Sequence, residues 1–203
     1  MTQGQVRPYL RTVALACGRG GMPLVAGLDL MVGAGRCLVL RGANGAGKST
    51  LLLTLAGLVA PLAGTIEIEA EEGVHLLSHR NAVKPRLTVL ENLAFWAGVN
   101  GATGIDPLAA LHRVGLGAIT HLDAAYLSAG QSRRLALARL LVTRRPVWLL
   151  DEPTAALDTE GHALVAALIG EHLAAGGLAI AATHDPLGLD PASVDALTIE
   201  AHR

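Results

Sequence analysis

The chain has 203 residues, 51% of them hydrophobic and 16% charged, which is enough apolar material for a sizeable core and rules out a disordered polymer. Sixteen basic residues against seventeen acidic ones leave a net charge of -1, so no polyanion-binding surface is written into the balance and no nucleic-acid partner is expected. Cys17 and Cys37 stand in no CxxC pattern and make no disulfide framework, so both are expected as inert core thiols in a reducing compartment.

Apolar runs of strand length alternate with longer helical stretches, the order of an α/β fold with a parallel sheet covered by helices. Arg7 to Ala16 and Leu24 to Val32 read as short strands of an antiparallel start, separated by the turn Gly18-Arg19-Gly20-Gly21. Arg36 to Arg41 is a buried-type strand, and Lys48 to Leu58 a helix that ends near Gly57 and Pro61. Thr65 to Ile68 and Val74 to Leu77 are apolar segments flanking the acidic turn Glu71-Glu72-Gly73. From Thr88 to Arg145 the pattern is mostly helical, with Asp106 as an N-cap and Pro107 at the first helical position, and suggests a helical subdomain inserted into the sheet over about 88–145 of a single domain, 1–203. Val147 to Leu150 is a buried strand, Thr159 to Ala175 a helix, Leu178 to Ala182 another strand, and Val194 to Ile199 a closing one.

Mean hydropathy is +0.44, and the uncharged run from Ser49 to Ile66 is long enough to raise the question of a membrane span. Gly57, Pro61 and Gly64 break it, so no crossing helix is expected. Met1 to Leu10 lacks the apolar core and cleavage site of an export signal, which points to a cytoplasmic chain.

Gly42-Ala43-Asn44-Gly45-Ala46-Gly47-Lys48-Ser49 satisfies GxxxxGK[ST] between a strand and a helix, the context a phosphate-binding loop requires. Glycines let successive N–H groups and the helix start point at phosphate oxygens. Lys48, one of only two lysines with Lys84, adds a charge for the β- and γ-phosphates of ATP. Ser49 offers a hydroxyl to Mg²⁺, and Thr50 is placed for an α-phosphate oxygen. Val147 to Leu150 runs into Asp151 and Glu152; Asp151 then sits at the carboxyl edge of the sheet to hold Mg²⁺ through its water shell. Glu152, one step on, is the candidate to orient or deprotonate an attacking water.

Leu127-Ser128-Ala129-Gly130-Gln131, followed by Ser132-Arg133-Arg134 and an apolar helix, resembles the signature of the ATP-binding-cassette (ABC) ATPases. The resemblance covers practically the whole chain and implies a P-loop NTPase with an ABC-type nucleotide-binding domain. It implies that Ser128, Ala129, Gly130 and Gln131 bind the γ-phosphate held by the other subunit of a homodimer, a helix start being a ready anion site. Ala129 departs from the commoner glycine. Thr154-Ala155-Ala156-Leu157-Asp158 matches the loop that passes between subunits, and Ala182-Thr183-His184-Asp185 the switch-histidine loop. His184 is thereby implied to bond the γ-phosphate and to act catalytically with Glu152.

Two positions depart from the family pattern. His79 stands where most cassettes carry a glutamine near Mg²⁺, judged by the Leu87-Thr88-Val89-Leu90-Glu91-Asn92 that follows, and it is open whether the imidazole ligates, senses pH or spaces the loop. Arg19 takes the place of the usual adenine-stacking aromatic; a guanidinium plane can stack on a base, with Tyr9 as the weaker candidate. His75, His112, His121, His162, His172 and His202 share no metal-ligand spacing.

Within the family, the segment from His79 to Trp96 and the LSAGQSRR signature look similar to the ATP-binding subunits of bacterial cytochrome c maturation. That likeness implies a peripheral subunit on the cytoplasmic side of the inner membrane, bound to an integral membrane subunit of the same transporter, with haem contacted only indirectly. ATP hydrolysis would drive haem export or release of a haem-loaded chaperone; the alternative is another cargo. A small P-loop kinase would need a phosphoacceptor site in place of the signature, and a chromosome-associated cassette a long coiled coil between Lys48 and Ser128.

Overall fold

The computed structural model describes residues 7–70 and 73–200. The acidic pair Glu71-Glu72 of the expected turn, the first six residues and His202 lie outside them. The chain divides into two compact units: residues 1–78, 145–152 and 168–203 form the first, and 79–144 with 153–167 the second.

The first unit opens with an antiparallel hairpin, β1 (Tyr9–Arg19) and β2 (Met22–Gly33). Gly20 and Gly21 have φ of 57° and 79°, the two left-handed positions of a tight hairpin turn. Two residues therefore suffice where a four-residue turn was expected, and β1 runs on through Arg19. Ala14 bulges out of β1 at φ 47°, and its freed N–H donates to Asp29 Oδ1 at 2.6 Å.

β3 (Cys37–Arg41) is followed by α1 (Lys48–Leu55), which stops three residues short of the expected end. β4 (Ala63–Glu69) returns to β1 as a third antiparallel strand, giving the order β2-β1-β4. Its Thr65-Ile66-Glu67-Ile68-Glu69 alternation turns the isoleucines inward, and Glu67 accepts from the Tyr9 hydroxyl. Tyr9 is thus a strand residue.

β5 (Val74–Leu77), β6 (Val147–Asp151), β7 (Leu178–Ala182) and β8 (Val194–Thr198) complete a parallel sheet with β3, in the order β5-β6-β7-β3-β8. Every residue of β6 and β7 is buried, as is β3 up to Arg41, which is why these strands read as unbroken apolar runs. The core gathers Leu38, Leu40, Leu51, Leu55, Val147, Leu149 and Ile180. Cys17 and Cys37 are free thiols at 0% exposure. Burial pushes the Cys37 thiol up to about 12, which leaves it unreactive.

The second unit holds α2 (Val89–Asn100), α3 (Pro107–Arg113) and α4 (Ala129–Val142). Thr88 and Glu91 form a reciprocal capping box at the start of α2, and the bonds from Thr88 hold the Glu91 carboxyl below its ordinary range. The expected Asp106 cap is present, accepting from Leu108 and Ala109 N–H at 2.9 and 3.2 Å. α5 (Thr159–Ala174) belongs to the second unit through Ala167 and to the first beyond it. No helix among the described residues is long and apolar enough to cross a membrane.

His172 stacks on Trp148 at 3.9 Å between ring centroids, with its Nε2 3.0 Å from the Leu178 carbonyl. Burial lowers its pKa from 6.5 to about 4, against the weaker pull of the Leu178 and Pro146 carbonyls. Above pH 6.5 the ring is neutral folded or unfolded. Below it the unfolded chain takes up a proton that the folded chain refuses, so stability falls until pH reaches about 4. Urea unfolding is expected to show about 2 kcal/mol lost between pH 7.5 and 5, and less than half of that in His172→Phe.

Candidate functional site

The first unit brings the P-loop, Asp151, Glu152 and His184 together at the carboxyl ends of its parallel strands. The loop leaves β3 at Gly42, whose φ is 140°; a Cβ there would stand 2.3 Å from the Ile199 carbonyl oxygen. Gly47, at φ 105°, is the N-cap of α1, and a Cβ on it would stand 2.9 Å from Leu24 Cβ. Both positions combine a left-handed backbone with a close neighbour, so only glycine fits. Ala43, Asn44 and Gly45 face solvent, Ala46 and Thr50 are buried, and Ser49 is half-buried.

Lys48 is 7% exposed. Its ammonium donates to the carbonyls of Gly42 at 2.7 Å and Ala43 at 3.1 Å, and lies 3.4 Å from His184 Nε2. The same Nε2 is 3.1 Å from Asn44 Oδ1 and 3.8 Å from Glu152 Oε1. One ring nitrogen therefore faces an ammonium donor and two oxygen acceptors. As the N–H tautomer it donates to Asn44; with the proton on Nδ1 it accepts from Lys48. The His184 loop is set by Thr183, fully buried, whose Oγ1 accepts from Asp185 N–H at 3.0 Å, and by Arg41, which donates to the His184 carbonyl at 3.2 Å.

Asp151 ends β6 in register with Ala182, its side chain buried. Glu152 follows with φ 47°, a left-handed conformation unusual for a non-glycine residue, and its N–H donates to Ala182 O at 2.8 Å. That backbone turns Glu152 out of the strand direction and toward His184. Among the described residues no group of three or more His, Cys, Asp or Glu side chains converges as a metal cage. One buried carboxylate, Asp151, and one hydroxyl at a helix start, Ser49, suit Mg²⁺, which keeps waters and phosphate oxygens as its other ligands.

The second unit carries Ser128 to Gln131, Asp158 and His79. Ser128 is the N-cap of α4: its Oγ accepts from Gln131 N–H at 3.2 Å, while Gln131 Oε1 accepts from Ser128 N–H at 2.9 Å. The helix starts at Ala129. The Ser128 hydroxyl proton and the Gln131 amide N–H₂ stay available to an anion. A Cβ on Gly130 would lie 2.9 Å from the Ala156 carbonyl, so a glycine is needed there, whereas Ala129 is exposed. Asp158 accepts from Gly161 N–H at 2.8 Å and pairs with Arg134 at 3.1 Å, which together hold its carboxyl below the ordinary range. His79 is exposed, and Arg19 lies at the exposed end of β1 in the first unit.

The family described as ABC transporter matches residues 25–155, a span that includes the P-loop, the signature and the two acids after β6. The chain belongs to the ABC transporter family. It is an ATP-hydrolysing subunit of that family's transporters. ABC relatives include two proteins named cytochrome c biogenesis ATP-binding export protein CcmA. The one from Rhodopseudomonas palustris strain HaA2 is 52% identical over 182 residues, covering 86% of this chain and 91% of its own. The one from Ruegeria pomeroyi is 52% identical over 186 residues, covering 92% and 90%. A solved ABC transporter ATP-binding protein from Pyrococcus furiosus shares the fold, with a TM-score of 0.75 at 24% identity over 94% of this chain and 97% of that one.

Thr183, Arg133 and Asn81 lie inside or beside the sequence motifs, but no role follows from their spacing; the fold shows that Thr183 holds the Asp185 N–H and that Arg133 bonds the Pro153 carbonyl and Asn81.

Proposed function

We propose that this chain is the ATPase of a cytochrome c biogenesis system, seated on the cytoplasmic face of the inner membrane against an integral membrane subunit. The observation that carries this reading is the 52% identity, sustained over most of both chains, with proteins named for that process. In this reading both compact units form one nucleotide-binding domain, and haem is touched only through partners.

Two copies face head to tail. The P-loop, Gly42 to Thr50, of one copy and Ser128 to Gln131 of the other enclose each ATP, with Asp158 beside the seam. Lys48 exchanges the Gly42 and Ala43 carbonyls for β- and γ-phosphate oxygens, trading two neutral acceptors for charged ones. Glu152 accepts a proton from water, or aligns it, for in-line attack on the γ-phosphorus. The bond to the bridging oxygen then breaks and ADP leaves. His184, already within reach of Lys48, Asn44 and Glu152, bonds the γ-phosphate and keeps Glu152 in register. Ser49 and Asp151 would hold Mg²⁺, which when bound offsets charge on the phosphates, and His79 stands in the sequence place of the usual glutamine. Arg19 lies against the base.

A tagged chain isolated from membranes is expected to bring down one integral membrane subunit, and its deletion to abolish covalently attached haem in c-type cytochromes. Normal c-type cytochromes in the deletion strain would overturn the assignment.

A further inference from the structure

Arg133, two positions past the signature, is 2% exposed. Its Nε donates to the Pro153 carbonyl at 3.3 Å and its Nη1 to Asn81 Oδ1 at 2.9 Å. Pro153 is the residue after Glu152, and Asn81 is two residues after His79. A second arginine of α4, Arg139, donates to the Asn81 carbonyl at 3.2 Å while its guanidinium lies 4.1 Å from the Trp96 ring. The Trp96 indole in turn donates to the Ala82 carbonyl at 3.3 Å, next to the left-handed Ala82 backbone at φ 52°. The His79 loop is thus gripped from α4 at both the side chain and the backbone of Asn81.

A buried charge is retained at a cost unless hydrogen bonds surround it. An apolar side chain would close α4 more simply, and a lysine would present a point charge. The rigid fork of arginine instead reaches two chain segments at once. Each segment leads within two residues to a proposed site residue.

We propose that Arg133 is a positioning residue for hydrolysis. From the start of the second turn of α4 it fixes the peptide that follows Glu152 and the loop that carries His79, so a displacement of the signature helix is passed to both. The proposal rests on reading Glu152 as the carboxylate that handles the attacking water.

Four variants of the full chain test it: Arg133→Gln, Arg133→Lys, Asn81→Ala and the double Arg133→Gln/Asn81→Ala. The expected result is kcat lowered about tenfold in Arg133→Gln, with KM for ATP, equilibrium ATP affinity and the thermal midpoint near those of the natural chain. Arg133→Lys should recover only part of the rate. Asn81→Ala, which spares the arginine, should fall in the same direction, and the double variant should be no slower than Arg133→Gln, because both changes remove one bond. An unchanged kcat, a kcat that drops only in step with ATP affinity or folded fraction, or strict additivity overturns the proposal. Glu152→Gln measured alongside separates the two failures. If it is inactive while Arg133→Gln is normal, only Arg133's role falls; if it is fully active, the Glu152 reading falls and takes this one with it.

Discussion

Glu152→Gln is expected to bind ATP about as well as the natural chain and to hydrolyse it roughly 100-fold or more slowly, the range that loss of a positioned base produces. The amide keeps the volume of the carboxyl and leaves the strained φ of 47° and the bond to Ala182 O untouched. It removes the negative charge and the proton-accepting oxygen 3.8 Å from His184 Nε2. Substrate affinity resides instead in Lys48 and the loop N–H groups, which the change does not reach. With ATP bound and no turnover, the chain should accumulate as a dimer on gel filtration. A variant that turns over normally would show that Glu152 does not handle the water.

Ser128→Ala is expected to slow hydrolysis by about 3 kcal/mol of transition-state stabilisation, or roughly 100-fold, the usual effect of losing one aimed donor. Ser128 has two duties, and the variant removes both: the cap on Gln131 N–H and the hydroxyl offered to a phosphate. Capping alone accounts for about 1 kcal/mol of helix stability. Ser128→Asp separates them. A carboxylate caps as well as a hydroxyl and favours a helix start, yet repels a γ-phosphate. Steady-state rates and urea midpoints together decide: Ser128→Asp should melt like the natural chain and hydrolyse no better than Ser128→Ala. Recovery of activity with the cap would assign Ser128 a structural duty only.

Much of this site could be read from sequence because its chemistry is local. The P-loop needs two glycines, a lysine and a hydroxyl within eight positions, and the signature is a helix cap whose partners lie three residues apart. The strand before Asp151 announces itself as an unbroken apolar run, since both faces of a central parallel strand are covered. What depends on distant pairing stayed hidden. Thr65 to Ile68 reads as an apolar segment, but nothing in it says that it joins β1 rather than the parallel sheet. The Ala14 bulge and its Asp29 partner leave no pattern. Nor does Arg133, which in sequence is one of three arginines on α4 and in the fold is a buried link to Pro153 and Asn81. The hairpin turn was misjudged for a local reason: Gly20-Gly21 already supplies both left-handed residues that a two-residue turn requires.

Nucleotide enclosed between two copies is the claim on which these effects rest, and a mixing experiment reaches it directly. Lys48→Ala and Ser128→Asp chains are each expected to be nearly inactive alone. Mixed in equal amounts with ATP, half of the dimers should contain one of each, and every such dimer keeps one seam with natural Lys48 facing natural Ser128. The account predicts recovery toward about a quarter of the natural ATPase rate. Mixed dimers that form and remain as inactive as either parent would contradict it.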